Sequence, residues 1–149
     1  MAVSMKDVRA WLDPEEVDYP GAAAKLGPDS LPYLQELAES PDTMLASKAT
    51  YLASLIGGEP ALRVLHAAAG RPEEAIRVAA ATGLRHLTEE QAAPIADRLL
   101  GDHDLGVRKM AIRSVASFAS GPMRERLKHA AESDPEQFIR DLAVRHLPK

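Results

Sequence analysis

Pro41, Pro72, His103 and Pro135 open four segments that follow one another at intervals of 31, 31 and 32 residues. Four positions into each segment stands an apolar residue, Leu45, Ile76, Val107 and Ile139. Eight positions in stands a small one, Ala49, Ala80, Ala111 and Ala143. Between the segments run second stretches of matching phase, with Leu34, Leu65, Ala96 and Leu127 in one column and Leu37, Ala68, Leu99 and Ala130 in another. A repeat of this length is one supersecondary unit, too small to bury its apolar face except against a neighbouring copy. The period therefore predicts a stack of helical pairs.

The best-formed unit is Asp102–Phe118. Its residues Val107, Ala111, Val115 and Phe118 fall at i, i+4, i+8 and i+11, one apolar stripe on a helix. Asp102 or Asp104 stands where the N-cap acceptor is wanted. The 26 alanines and 4% aromatic content favour closely spaced helices over a core of large rings. Turn and cap chemistry joins the stretches at Gly57-Gly58-Glu59-Pro60, Thr88-Glu89-Glu90-Gln91 and Ser120-Gly121-Pro122. No alternating strand pattern occurs.

Ahead of the repeats, Ser4–Asp7 has the form of a capping box and predicts a short helix over 5–12. Trp11 is expected to anchor the open end of the core. Pro14 is suited to the first turn of a new, irregular helix, which Tyr19-Pro20-Gly21 interrupts and Gly27 ends. Ser30 is read as the cap of a further helix ending near Ser40. Pro94 either kinks its helix or starts it after a turn led by Thr88.

Pro72-Glu-Glu-Ala-Ile-Arg-Val-Ala-Ala-Ala-Thr-Gly-Leu and Asp104-Leu-Gly-Val-Arg-Lys-Met-Ala-Ile-Arg-Ser-Val resemble the HEAT repeat, particularly its short bacterial form. The resemblance extends over 41–147 and departs at Ala46, where an arginine is expected, and at Gly83, inside a helix. It implies an all-α, right-handed solenoid of about four and a half repeats. A single domain over 1–149 is expected, with an irregular cap and first repeat over 1–40, regular repeats over 41–134 and a half repeat over 135–149. The resemblance also implies that Arg77, Arg108 and Arg140 bridge to acidic residues in adjacent turns and hold the repeats in register.

The composition narrows the function. Without cysteine there is neither a disulfide framework nor a thiolate metal site. No leader pattern and no apolar run of spanning length is present, so a cytoplasmic protein with no membrane association is expected. The net charge of −4 argues against an extensive nucleic-acid surface. That charge is unevenly placed, at −6 over 1–60, −2 over 61–104 and +4 over 105–149. Glu15-Glu16, Glu73-Glu74 and Glu89-Glu90 fall where first helical turns are expected, and there they serve the macrodipole rather than acid–base chemistry.

The His-Glu dipeptides by which one HEAT-like family, the deoxyhypusine hydroxylases, holds di-iron are missing at all five histidines. His103, between Asp102 and Asp104, is the one local group with ligand chemistry, and it is equally an ordinary helix start. No cofactor or metal is expected, and no phosphate loop or nucleophile triad can be placed.

Superposed by period, the second helices leave two polar columns outside the apolar stripe: Gln35, His66, Asp97 and Lys128, and Glu36, Ala67, Arg98 and His129. Varied polar residues on a constant scaffold suit an extended binding surface. In the last second helix Arg124 and Arg126 replace apolar residues of earlier repeats. They form either a polar terminal cap or, with Lys128 and His129, a basic patch for an acidic partner. The expected function is a non-catalytic scaffold binding another protein on its concave face or basic C-terminal end. The alternatives are a HEAT-like enzyme of lyase or DNA-repair type and weak head-to-tail self-association of acidic and basic ends.

Overall fold

The computed structural model describes residues 2–118 and 120–148. Among them are ten α-helices and no strand: α1 (Met5–Leu12), α2 (Tyr19–Leu26), α3 (Leu31–Ala38), α4 (Thr43–Ile56), α5 (Glu59–Ala69), α6 (Glu74–Gly83), α7 (Glu89–Leu100), α8 (Leu105–Ala116), α9 (Gly121–Ser133) and α10 (Gln137–His146). The first helices α2, α4, α6, α8 and α10 pack each on the next, and the second helices α3, α5, α7 and α9 do the same beside them. This is an all-α solenoid, with α1 lying across its N-terminal end against α2, α3 and α4. No helix among the described residues is long and apolar enough to cross a membrane.

The periodic columns form the core. Ala49, Ala80, Ala111 and Ala143 are fully buried, as are Ile76, Val107 and Ile139, while Leu45 is half-buried. Both apolar columns of the second helices are buried throughout. A buried leucine or isoleucine contributes about 1.5–3 kcal/mol, whereas alanine contributes little by area and instead lets the helix axes approach. Trp11 is partly buried against the N-terminal part of this core, and Lys48 of α4 donates to the carbonyls of Leu12 and Pro14, tying α1 down.

Helix starts follow side-chain chemistry. The carboxylates of Asp42 and Asp104 accept from the amides of Leu45 and Val107, so Asp104 rather than Asp102 is the cap of α8. Ser4 with Asp7 and Thr88 with Gln91 form reciprocal capping boxes. Thr88 therefore starts α7, and Pro94 lies inside it.

Four expectations need correction. Pro14 starts no helix; Asp18 caps α2 through the Gly21 amide, and Tyr19-Pro20-Gly21 is its first turn, where proline has no hydrogen bond to lose. Glu15 and Glu16 consequently lie outside any helix. Ser30 stands at the N-cap of α3 but makes no side-chain cap bond: its hydroxyl donates to the Gly27 carbonyl within a 3₁₀ turn that runs into the helix, which ends at Ala38. Glu73 stands at the cap of α6 without a side-chain cap bond, because its carboxylate pairs with Arg71.

The arginines form a directional ladder. Nε of Arg77 donates to Asp102 at 2.9 Å, and its NH1 to the carbonyl of Arg71, also at 2.9 Å. Arg108 repeats the arrangement one unit on, with Asp134 at 3.0 Å and the Asp102 carbonyl at 3.0 Å. Each guanidinium reaches forward to the acid that precedes the next first helix. Where Ala46 lacks the arginine, Arg71 works in reverse, donating to the carbonyls of Ala38 and Ser40.

Gly83 is explained by close approach. A Cβ there would lie 2.7 Å from Cβ of Ser54 on α4, an atom with no freedom to swing aside. Gly83→Ala is expected to destabilise the protein by about 1–3 kcal/mol through overpacking, against a propensity gain of about 1 kcal/mol. Urea denaturation measures this, and adding Ser54→Gly should recover part of the loss.

Candidate functional site

A groove of about 1050 Å³ runs between α7 and α9. Leu100, Leu105, Pro122, Ala130 and Pro135 give it apolar lining, and the turns between α7 and α8 and between α9 and α10 form one end. Its charged lining consists of Asp97, Asp102, Glu125, Asp134 and Glu136 against Arg108 and Arg126, with His103 and His129 beside them.

The groove owes its place to the way α9 ends. Helices α5 and α7 close on Gly70 and Gly101 in near-helical conformations, whereas α9 runs on to Ser133 and leaves through extended Asp134. The second-helix columns remain 31 residues apart up to Ala130, so the additional residue of the 32-residue interval falls in this last stretch of α9. Around α3 and α5 the corresponding space is only about 30 Å³. Between α5 and α7 the Arg98 guanidinium lies so near Gly70 that a Cβ there would come within 2.9 Å of it.

Most of the groove's charge is committed internally. Asp97 and Arg126 form a fork across α7 and α9, at 2.6 Å and 3.0 Å. This fork raises the Arg126 pKa. Asp134 receives Arg108 and also the Glu136 amide. Burial pushes the Asp102 carboxyl up, but the Asp104 amide and the Arg77 guanidinium outweigh it and hold the group below its ordinary value. Glu125 and Glu136 enter no ion pair among the described residues and leave the open charge of the groove acidic.

The sequence-derived candidates therefore divide. Asp97, Arg126 and His129 come together in the groove. Gln35 borders the small cleft between α3 and α5, and Arg98 fills the space beside Gly70. His66, Arg124 and Lys128 are exposed and do not line the groove. Arg126, read from the sequence as part of either a polar cap or a basic patch, pairs with Asp97. Among the described residues no group of three or more His, Asp or Glu is disposed to hold a metal. Around His103 the two aspartates diverge, Asp102 to Arg77 and Asp104 to the α8 cap. Leu105, Pro135 and Glu136 lie at the starts of α8 and α10, outside the second-helix columns, and only the 32-residue interval signals them in the sequence.

Stacked helical hairpins joined by an arginine–aspartate ladder define a repeat solenoid. The family model for HEAT repeats matches residues 62–148, and the chain belongs to the HEAT-repeat family. Among solved structures, a chain in the complex of CpcE and CpcF of phycocyanin lyase from Nostoc sp. PCC7120 is similar in fold, with a TM-score of 0.72 at 22% identity over 95% of this chain and 96% of that one. No curated protein matches by sequence.

Because the folded pKa of Asp102 is depressed, the unfolded chain takes up a proton more readily there. The stability this group contributes is present above its ordinary value of 3.8 and is lost as pH falls through the folded value. Asp102→Asn should therefore destabilise the protein at neutral pH, and the gap to wild type should narrow below about pH 4. Urea denaturation at both pH values checks this.

Proposed function

We propose that the chain is a non-catalytic protein-interaction module that receives a segment of a partner protein in the groove between α7 and α9. The observation that carries this reading is the composition of the groove. Its apolar lining includes Leu105, 43% exposed, and its charged lining the carboxylates of Glu125 and Glu136, which enter no ion pair among the described residues. Exposed apolar area beside charge is the material of a protein interface. The chemistry suits an apolar anchor residue flanked by lysine or arginine. The other charged walls are braced by their own ion pairs and present a preformed surface, which lowers the ordering cost of binding.

The likeness to a chain of a phycocyanin lyase complex supports a second reading, a lyase subunit. Against it, both guanidiniums of the groove are already paired and no lysine lines it, so the groove offers no free guanidinium or ammonium to an acidic ligand.

Leu105→Glu places a charge in the apolar lining of the groove, while Met44→Glu alters an exposed residue of α4 outside it. A protein captured by wild type and Met44→Glu baits and lost by Leu105→Glu is the expected result. Direct titration of that partner should show at least about a tenfold weaker Kd for Leu105→Glu, or 1.4 kcal/mol. Equal retention by all three baits would overturn the groove as the site.

A further inference from the structure

The ladder runs from α6 to α10 and ends on an unmatched cation, and an unpaired acid stands ahead of α2 at the other end of the stack. Arg77 and Arg108 are closed by Asp102 and Asp134, each two residues before the N-cap of the next first helix, Asp104 and Glu136. Arg140 of α10 is held in the same pose, its NH1 donating to the carbonyl six residues back, that of Asp134, at 2.5 Å. Its NH2 reaches only Gln137 of its own helix, and its Nε edge meets no acceptor among the described residues. The rest of that face is equally open. Val144 occupies the column of Ala81 and Ile112, both fully buried by the following helix, and is 56% exposed.

At the other end, Glu16 stands two residues before Asp18, the N-cap of α2. The spacing is that of Asp102 to Asp104 and of Asp134 to Glu136. Glu16 is exposed and enters no ion pair among the described residues. Together with Ala10, Trp11, Pro14 and Asp18 it lines a pocket of about 240 Å³, in which an aromatic ring and two carboxylates meet. This is chemistry that receives a guanidinium. Farther along α2, Ala24 is exposed and leaves room for the approach of another helix, while the Asp18 carboxylate covers Gly21.

We propose that this end receives the α10 edge of a second copy of the chain, with Glu16 closing on Arg140 as Asp102 closes on Arg77. The partner is another copy because the leftover donor and the leftover acceptor are complementary in charge, in spacing before a helix and in the segments around them, +4 over 105–149 and −6 over 1–60. The contact is heterologous, so assembly gives a closed ring or an open chain according to the rotation between copies. It uses the two ends of the solenoid and does not depend on the groove.

Sedimentation velocity of the full chain across a concentration series, at about 50 mM and about 500 mM salt, tests the proposal. The wild type is expected to associate as concentration rises at low salt and to be monomeric at high salt. Arg140→Glu and Glu16→Arg should each raise the apparent Kd at least about tenfold, 1.4 kcal/mol. The double variant, with the pair reversed, should regain association, which also shows that both substitutions leave the fold intact. A monomeric wild type at every concentration in low salt, single variants that associate like wild type, or a double variant no better than the singles would each overturn it.

Discussion

No pair of helices in this chain has a face it can bury alone, and every other feature follows from the stacking that this imposes. The fully buried alanines of α4, α6, α8 and α10 set how near successive helices come. Gly83 marks the limit of that approach, where even a methyl group meets the neighbouring backbone's own Cβ. With cores built from such small residues, apolar contact is weakly directional, and adjacent helices could slide by a turn at little cost. The arginine–aspartate forks supply the missing register. A buried ion pair contributes little net stability, since desolvation offsets much of the attraction. Its geometry is nevertheless exacting, and a shift of one residue would leave a buried charge unpaired, at about 3–5 kcal/mol.

The groove shows how a small change in helix length acts on such a scaffold. Helix α9 keeps the columns of its predecessors as far as Ala130 and then extends to Ser133. The turn to α10 is displaced, yet the ladder survives because Asp134 still meets Arg108. What opens instead is the space between α7 and α9. The fork holds its place in the stack while a helix end of different length shapes a surface, which is how one repeat type supports many partners.

Most of the architecture was legible in the sequence because it rests on periodicity, which is a sum over many residues. The columns of Ile76, Val107 and Ile139 announced the core, and the ladder that the family resemblance implied forms at Arg77 and Arg108 but not at Arg140, which reaches no acid among the described residues. The failures were local. Tyr19-Pro20-Gly21 looked like a break, although proline and glycine in a first turn cost little once Asp18 supplies the cap. Ser30 looked like a cap and proved to be a hydroxyl turned back on Gly27. Arg126 looked free because its acid, Asp97, lies in the preceding repeat and could not be paired with it by counting along one helix. Cross-repeat pairing needs the stacking angle, which no column of letters contains.

The ladder also bears on the uneven charge of the chain. Each fork joins a cation on one repeat to an acid at the start of the next, so the interaction has a direction from N- to C-terminus. The forks run from α6 to α10 and leave Arg140 unanswered, while Glu16 holds the corresponding place ahead of α2, and each contributes one charge of the proper sign to its end. They do not account for the whole difference between −6 and +4. The remaining excess lies on exposed positions such as Glu15, Asp29 and Glu39 at one end and Arg113, Arg124 and Lys128 at the other. Exposed charges of this kind act over a Debye length of about 8–10 Å rather than by contact. Short-range forks and the longer-range field thus have the same polarity, and the field orients a second stack in the sense in which the forks can close.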